Sequence, residues 1–385
     1  MLTLPLWAWS PDWSERVTET LAWKTDILAS PTGAEQRIAR RLTPRRQFEF
    51  SVLVGGAQRQ MLEVQLALHG ATTWALPLFM ASLPLSQPLM EGQTVIPLPA
   101  ASLRLSGISA IALQSAGGHA VCPVIATHTD SVTVGALSQA WPVGTVLSPV
   151  VPAMLTEPPP ITRYSDDLMR LQCRFRVQQA NPFPSTAPDV VYRGDPVLML
   201  PSDWTQDRQA EYQRVCLELD NGTGQVFRTD TAARPFYLAR HHWTVNGFEA
   251  QVALRQQLMA LRGRQRAVWV STQNADLTPL SMSGSQLVVQ HLGVSTLTPS
   301  LGWRDIAVHT LSGVTRYYRV TDLRDGVMGT QLTVDGILPP RNSVASVHFL
   351  VRCRQHGDEI TWVHHTDGEG VAEVSTVFRG VKDEL

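Results

Sequence analysis

The feature that most constrains this chain is an internal duplication, because short segments of its first half recur in the same order in its second half. The matched segments are 2–13 with 198–204, 45–56 with 239–247, 130–137 with 330–338, and 168–177 with 371–381. The separation between partners drifts from about 190 to about 200 residues, as loop insertions of different length would produce. The ordered series, more than any single match, indicates two copies of one structural unit.

Each copy contains a strand, an amphipathic helix, a glycine and then a strand that carries a tryptophan. The predicted apolar stripes and the glycines that follow them are Ala57, Met61, Val64, Leu68 and Gly70 in the first copy and Ala250, Leu254, Leu258, Leu261 and Gly263 in the second. These spacings place each stripe on one face of a helix. The alignment pairs Trp74 with Trp269.

The rest of each copy reads as short alternating strands at intervals of roughly ten residues, which favours a sandwich or barrel. We therefore predict a mainly β fold with a few helices, made of two tandem β-sandwich or barrel modules, each with one packed amphipathic helix. The proline-rich stretch 178–196 lacks periodicity and marks the boundary. The predicted modules span 1–183 and 198–385, with a linker at 184–197.

The charge balance bears on the partners of the chain. With 32 basic and 33 acidic residues, it lacks the basic excess that a nucleic-acid-binding protein normally carries. Lys24 and Lys382 are the only lysines, whereas there are eleven tryptophans. Protein interfaces favour arginine and tryptophan over lysine, so the composition favours a protein that assembles with partners. No run of eighteen apolar residues occurs, and no membrane insertion is predicted.

An arginine cluster follows the second helix, in "MALRGRQRAVWVS" (259–271). The matching segment of the first copy, "HGATTW" (69–74), contains no arginine, which argues against a nucleic-acid grip. Arginines at a helix C-terminus can bind the last carbonyls or pair with another subunit. The candidate interface residues are Arg45, Arg46, Trp74, Arg262, Arg264, Arg266 and Trp269.

No catalytic, cofactor-binding or metal site is predicted, and the chain is not expected to be an enzyme. The histidine pairs 241–242 and 364–365 lie in predicted strands, where neighbours point to opposite faces, so we interpret them as surface or interface residues. "LDNGTGQ" (219–225) lacks the alternate carboxylates of a calcium loop and is predicted as a hairpin turn. The four cysteines are far apart and are predicted to be buried thiols.

Several segments resemble tail-tip proteins of long-tailed bacteriophages. They are "GAEQRIARRLTPRRQFEF" with the helix after it, "ALRGRQRAVWV", "TRYYRVTDL" and "GVAEVSTVF". The likeness is greatest to distal-tail and related baseplate proteins, which share the tail-tube fold, a β-sandwich or barrel with one packed helix. The resemblance implies a virion structural protein, assembled in the bacterial cytoplasm, that forms a trimeric or hexameric ring against the tail-tube protein and other tail-tip proteins.

The duplication departs from the simplest members of that group. A distal-tail protein has one tube-like domain per subunit, whereas a hub has two, so that three chains present six similar domains. The first expectation is therefore a homo-oligomeric ring of distal-tail or hub type, with DNA at most passing through its lumen. The alternative is a carbohydrate- or receptor-binding module of a virion, in which Trp7, Trp9 and Trp13 would be exposed stacking platforms.

Overall fold

A computed structural model describes residues 4–180, 185–297, 302–366 and 370–382. These residues form antiparallel strands with three α-helices, so the predicted mainly β fold with a few helices is confirmed. Within the described ranges, no helix has the length and apolar character needed to cross a membrane.

The first module is a set of antiparallel strands with one long helix. Its strands are β1 (Val17–Ala29), β2 (Glu35–Val54), β3 (Trp74–Pro77), β4 (Leu83–Pro84), β5 (Val95–Pro97), β6 (Ala110–Ser115), β7 (Gly118–Thr127), β8 (Ser131–Val134), β9 (Val146–Leu155), β10 (Ile161–Arg163) and β11 (Met169–Val177). Its helices are α1 (Gly56–His69) and the short α2 (Ala101–Arg104). Strand β2 pairs with β1 and β11, β11 pairs with β9 and β10, and β9 pairs with β3, β4 and β6. The sheet continues from β6 through β7 and β8 to β5.

The second module repeats this arrangement. Its strands are β12 (Val191–Tyr192), β13 (Asp195–Pro196), β14 (Ala210–Gln213), β15 (Cys216–Leu219), β16 (Phe227–Asp230), β17 (Phe236–Asn246), β18 (Val268–Ser271), β19 (Pro279–Ser283), β20 (Gln286–Val289), β21 (Asp305–Thr310), β22 (Thr315–Gly326), β23 (Gly329–Val334), β24 (Val344–Gln355), β25 (Glu359–His364) and β26 (Val371–Gly380), and its helix is α3 (Phe248–Leu261). Strand β17 pairs with β14 and β26, β26 with β24 and β25, and β24 with β18 and β21. From β21 the order is β22, β23, β20 and β19.

The same pairing order therefore occurs twice. Strands β14–β15 and β16–β17 take the places of β1 and β2, while β24, β25 and β26 take those of β9, β10 and β11. Small buried clusters correspond as well: Leu6, Ala75, Ala112 and Val150 in the first module, and Val197, Trp269, Ala307 and Leu350 in the second.

The structure corrects the pairing of the two tryptophans by one residue. Parallel bridges join Leu6 to Ala75 and Val197 to Trp269, so Trp269 occupies the place of Ala75 rather than that of Trp74. Because side chains alternate between the faces of a strand, this shift puts the two rings on opposite faces. Trp74 belongs to the core cluster that contains Leu62 of α1, and Trp269 belongs to the other small cluster.

The predicted apolar stripe of the first helix is wrong. Leu62 is the buried residue of α1, whereas Met61, Val64 and Leu68 are 49 %, 55 % and 65 % exposed. In α3 the predicted leucines are buried, although Ala250 is exposed. Helical periodicity found the helices but did not distinguish a core-facing stripe from an apolar surface.

The predicted linker 184–197 is only partly a connection. Strands β12 and β13 form a small hairpin inside it. The Tyr192 hydroxyl donates a hydrogen bond to Asp305 at 2.6 Å, and Arg352 pairs with Asp195 at 2.6 Å. Residues 191–197 are therefore bound to the second module, and the connection is shorter than predicted.

Candidate functional site: the junction between the modules

A pair of edge strands continues one sheet across the boundary between the modules. Strand β1 runs antiparallel to β25, from Val17 opposite His364 to Ala22 opposite Glu359. Strand β1 also pairs with β2, and β25 also pairs with β26, so each has a partner on both sides. An edge strand left open exposes unpaired backbone groups, and here each module supplies the partner for the other.

A buried ionic cluster accompanies this strand pair. Glu19 of β1 is 0 % exposed and accepts hydrogen bonds from both guanidinium N–H₂ groups of Arg255, at 2.6 and 2.7 Å. Arg46 donates to the same carboxylate from Nε at 2.6 Å, and His364 Nε2 lies 3.1 Å from Oε2. Because Glu19 and Arg46 belong to the first module and Arg255 and His364 to the second, the cluster ties the two modules together.

The cluster holds one ionised carboxylate against two buried cations. Burial alone would raise the pKa of Glu19, but Arg255 and Arg46 hold it well below its usual range. Burial lowers the pKa of Arg46 to about 10, with Glu19 acting in the opposite direction. Burial also lowers the pKa of His364, which keeps its imidazole neutral at neutral pH. Removing the carboxylate would break the buried ion pairs that both guanidinium groups form with it.

A second contact lies at Asp358, in the turn between β24 and β25. Its carboxylate accepts hydrogen bonds from the Thr25 amide at 2.6 Å and the Arg264 amide at 3.0 Å, and its carbonyl accepts one from the Trp23 amide at 2.8 Å. Gly263 has a φ of +63°, and a Cβ there would lie 2.7 Å from Asp358 Oδ1. The segment after α3 thus approaches the turn too closely for a side chain at position 263.

The end of the β1–β2 hairpin lies on the second module. Glu35 accepts two hydrogen bonds from Arg354, at 2.7 and 2.8 Å, and also pairs with Arg379. Gly33 packs so closely on Phe236 that a Cβ would lie 2.2 Å from the ring. The hairpin, the turn at Asp358 and the Glu19 cluster form one continuous junction inside the chain.

Three of the candidate interface residues are buried within this chain. Trp74 is 0 % and Trp269 is 1 % exposed, so both rings belong to the core and cannot contact another subunit. Arg46 does lie at a junction, but between the two modules of one chain. Arg45, its neighbour on β2, is exposed.

The arginine cluster after α3 lies at the rim of the same junction. Arg266 donates a hydrogen bond to the carbonyl of Ala260 in the last turn of α3, at 3.2 Å, which is a helix-end contact of the kind expected. Arg262 caps the helix with a φ of +54°. The contact with the first module comes from the Gln265 side chain, which donates to a β2 carbonyl at 2.9 Å, whereas the Arg264 amide binds Asp358 of its own module.

The histidine pairs lie deeper than predicted. His241 is buried against Phe378, and burial lowers its pKa to about 3. His242 is also buried, 3.1 Å from Asp203, and His364 lies in the Glu19 cluster. A surface position is therefore wrong for these three. Among the described residues, no group of three or more His, Cys, Asp or Glu side chains is arranged to hold a metal ion.

Two further expectations are corrected by burial. Trp7 and Trp9 are core residues and Trp13 is half-buried, so they do not form exposed stacking platforms. Trp204, in contrast, is 69 % exposed and lines a pocket of about 370 Å³. The same pocket is lined by His309, Tyr317 and His348. Of the cysteines, Cys173 and Cys353 are buried, but Cys122 and Cys216 are only half-buried.

Sequence reasoning did not single out Glu19, although a signal was present. In "VTETLAW" the buried residues alternate, and Glu19 occupies the same inward phase as Val17, Leu21 and Trp23. A carboxylate in the inward phase of a strand requires a buried cation or donor nearby.

No protein-family model matches this chain, and no curated protein matches it. Its function must therefore be inferred from the fold and the junction.

Proposed function

We propose that this chain is a structural component of a bacteriophage tail tip, where it forms a ring that caps or extends the distal end of the tail tube. The observation that carries the proposal is the edge-to-edge pairing of two similar modules through β1 and β25. A contact between two different surfaces, when it is repeated from chain to chain, closes into a ring if the rotation closes.

Two further strands support this role. Strand β14 of the second module and β10 of the first are exposed along their whole length. In the described part of the chain, β14 pairs only with β17 and β10 only with β11. The chain thus uses one pair of edges, β1 with β25, internally, and the edges of β10 and β14 are open for use between copies.

In this role the chain contacts the tail-tube protein and other tail-tip proteins, in a virion assembled in the bacterial cytoplasm. DNA passes through the lumen without specific binding, since a net charge of −1 gives the duplex no strong attraction to the wall. The role requires neither catalysis nor a cofactor.

Light scattering on the purified chain, followed by negative-stain imaging of the same peak, tests the ring. We expect a closed trimer or hexamer with a central hole. Three copies would favour the hub arrangement and six would favour a distal-tail ring. A monomer at all concentrations would contradict the proposal.

The tail location has its own test. Gold-labelled antibodies against this chain, applied to the tailed phage particles of which it is the proposed component, should label the tip of the tail. Rings in solution together with unlabelled tails would contradict the tail role but not ring formation.

A second candidate role, a carbohydrate- or receptor-binding module, is favoured by the exposed ring of Trp204 beside its pocket. An aromatic face of this kind can stack on a sugar ring. This role predicts a monomer that binds host cell-surface glycans and loses that binding in Trp204→Ala, whereas the tail-ring role predicts no change in ring formation in that variant.

A further inference from the structure

We propose that copies of this chain join head to tail by repeating their internal junction, so that the β14 edge and β15–β16 hairpin of one copy dock on the α1–β10 face of a second copy. The inference deepens the proposed ring and rests on it, because it names the two surfaces that form each contact between chains. The occupant of the α1–β10 face is a second copy of this chain, because the contact continues the junction already present between the two modules.

The two hairpins differ in what covers them. In the first hairpin, Gly33 is packed against Phe236 of the second module. Gly224 follows a threonine in the turn of the second hairpin just as Gly33 does in the first, and a Cβ there would have nothing within 4 Å. The β15–β16 hairpin is two-stranded and largely exposed, and such a hairpin is marginally stable unless it packs against something.

Strand register shows which residues correspond on the docking strand. Glu19 lies opposite Phe48, which lies opposite Phe175. Ala210 lies opposite Ala239, which lies opposite Phe378. Ala210 therefore takes the place of Glu19. The Arg240 amide donates to the Gln209 carbonyl at 3.0 Å, so the next residue, Ala210, turns its own N–H and C=O away from β17 toward the open side.

The receiving face corresponds in the same way. Arg163 of β10 lies opposite Met169, and His364 of β25 lies opposite Ala372, each at the start of the next strand. Arg163 therefore takes the place of His364. Ile161, in the place of Trp362, is 44 % exposed, whereas Trp362 is 0 % exposed beneath the internal junction.

The helices extend this correspondence. Leu62 of α1 and Leu254 of α3 are both fully buried, and each is followed by a charged residue, Glu63 or Arg255. Arg255 is buried by the first module, whereas Glu63 is partly exposed. The α1 face is thus exposed at the position that the first module covers on the α3 face.

The carboxylate lies on a different element in the two charged sets, but the numbers of carboxylates and arginines are the same. In the internal junction the strand supplies the carboxylate, Glu19, and arginines surround it. On the open face the helix supplies the carboxylate, Glu63, which pairs with Arg59 at 2.7 Å and also with Arg163. Each set contains one carboxylate and two arginines. Because Ala210 is neutral, it would add no unpaired charge to this set when β14 docks.

A second pair of residues differs between the internal junction and the open surfaces at both of its positions. Arg354 lies opposite Arg379, and Met154 lies opposite Arg176, so Met154 takes the place of Arg354. Glu35, which binds Arg354, lies two residues after Gly33. Val226 lies two residues after Gly224 and therefore takes the place of Glu35. The ion pair of Glu35 with Arg354 inside the chain therefore corresponds to an apolar pair, Val226 with Met154, between copies, whereas Arg379, the other partner of Glu35, corresponds to Arg176. The matched change of both members indicates that these surfaces meet.

Cysteine cross-linking of mixed single variants tests the proposal. One protein carries Ala210→Cys and the other Ile161→Cys, at the positions that correspond to the facing pair Glu19 and Trp362. Both carry Cys122→Ser and Cys216→Ser, which removes the half-buried thiols. On mild oxidation we expect a disulfide-linked dimer in the mixture and at most traces in either protein alone, because the contact joins two different surfaces.

Other outcomes would overturn it in distinguishable ways. A cross-link in one variant alone would indicate a two-fold contact. An oligomer that forms no cross-link in the mixture would place the contact elsewhere, and a monomer without cross-links would exclude both the contact and the ring. Cross-linked open filaments would support this contact while contradicting the proposed ring.

A backbone variant gives an independent readout. Ala210→Pro removes the outward-facing N–H of β14 at an edge where the separate chain does not use it. We expect light scattering to show monomers for Ala210→Pro and the unchanged oligomer for the matched control Ala210→Ser, with the same circular dichroism spectrum for both. An unchanged oligomer in Ala210→Pro would contradict strand pairing between copies.

Discussion

The α3–β25 face of the second module and the α1–β10 face of the first have the same backbone arrangement but opposite surroundings. The first is covered by β1 of its own chain and holds a carboxylate that is fully buried. The second is open, and its carboxylate, Glu63, keeps its arginine partners at the surface. The difference indicates that the backbone arrangement determines where a contact can form, whereas the side chains on that face determine which partner can bind there.

The largest expected effect comes from the buried carboxylate. Glu19→Gln removes the carboxylate that Arg46 and Arg255 share, and breaking a buried ion pair in this way costs about 3–5 kcal/mol of unfolding free energy. Glu63→Gln on the open face should cost less than about 1 kcal/mol. Urea unfolding followed by circular dichroism measures both, and equal losses would remove the distinction between the two faces.

The two hairpin glycines test the same contrast through packing. Gly33→Ala introduces a Cβ against Phe236 at a φ of +81°, and strain plus overpacking should cost about 3 kcal/mol. Gly224→Ala, which meets nothing in the separate chain, should stay within about 0.5 kcal/mol of the parent. Melting temperatures of the separated monomers would show this, and a large effect at Gly224 would mean that the second hairpin is already covered.

The modules should also differ in their response to acid. His241 lies opposite Thr376, and its counterpart Phe50 lies opposite Cys173. The pKa of His241 in the folded chain is about 3, against an ordinary value of 6.5, because burial and then Arg208 disfavour the charged form. Below pH 6.5 the unfolded chain therefore binds a proton that the folded chain does not, and stability falls as pH falls.

This loss amounts to at most about 1.4 kcal/mol per pH unit between pH 6.5 and about 3. His241→Phe should remove it, and Phe50→His should introduce a similar dependence in the first module. Urea unfolding at pH 7, 6 and 5 separates the variants. An unchanged slope in His241→Phe would mean that this imidazole is charged in the fold.

The smallest effect is expected at the arginine cluster. Arg266→Ser removes an exposed helix-end contact and should cost about 0.5 kcal/mol. The triple change of Arg262, Arg264 and Arg266 to serine should leave both assembly and DNA affinity unchanged, as measured by light scattering and a mobility shift. Loss of DNA binding with assembly intact would restore the nucleic-acid interpretation.

The sequence predicted those parts of the fold that depend on local pattern. Alternating strands, two long helices and the ordered duplication all follow from residues close to one another in the chain. The pairing of Trp74 with Trp269 was wrong by one residue because the loops that precede the two strands differ in length, and in a strand one residue is enough to reverse the face.

The junction could not be predicted from pattern in the same way. Glu19 and Arg255 are 236 residues apart, and no local rule brings them together. The apolar stripe of Met61, Val64 and Leu68 has the periodicity of a core-facing surface but is exposed. Periodicity reports that a face is apolar, and only the tertiary structure reports whether the same chain covers it.

The internal junction also has a consequence for dilution and for counting. Its halves are tethered within one chain, so their effective concentration, on the order of millimolar for a short connection, does not depend on the amount of protein. In a ring of such chains, dilution opens only the contacts between chains, and every departing piece carries two modules. The number of modules in the ring is then always even, and closure of six modules requires three encounters instead of six.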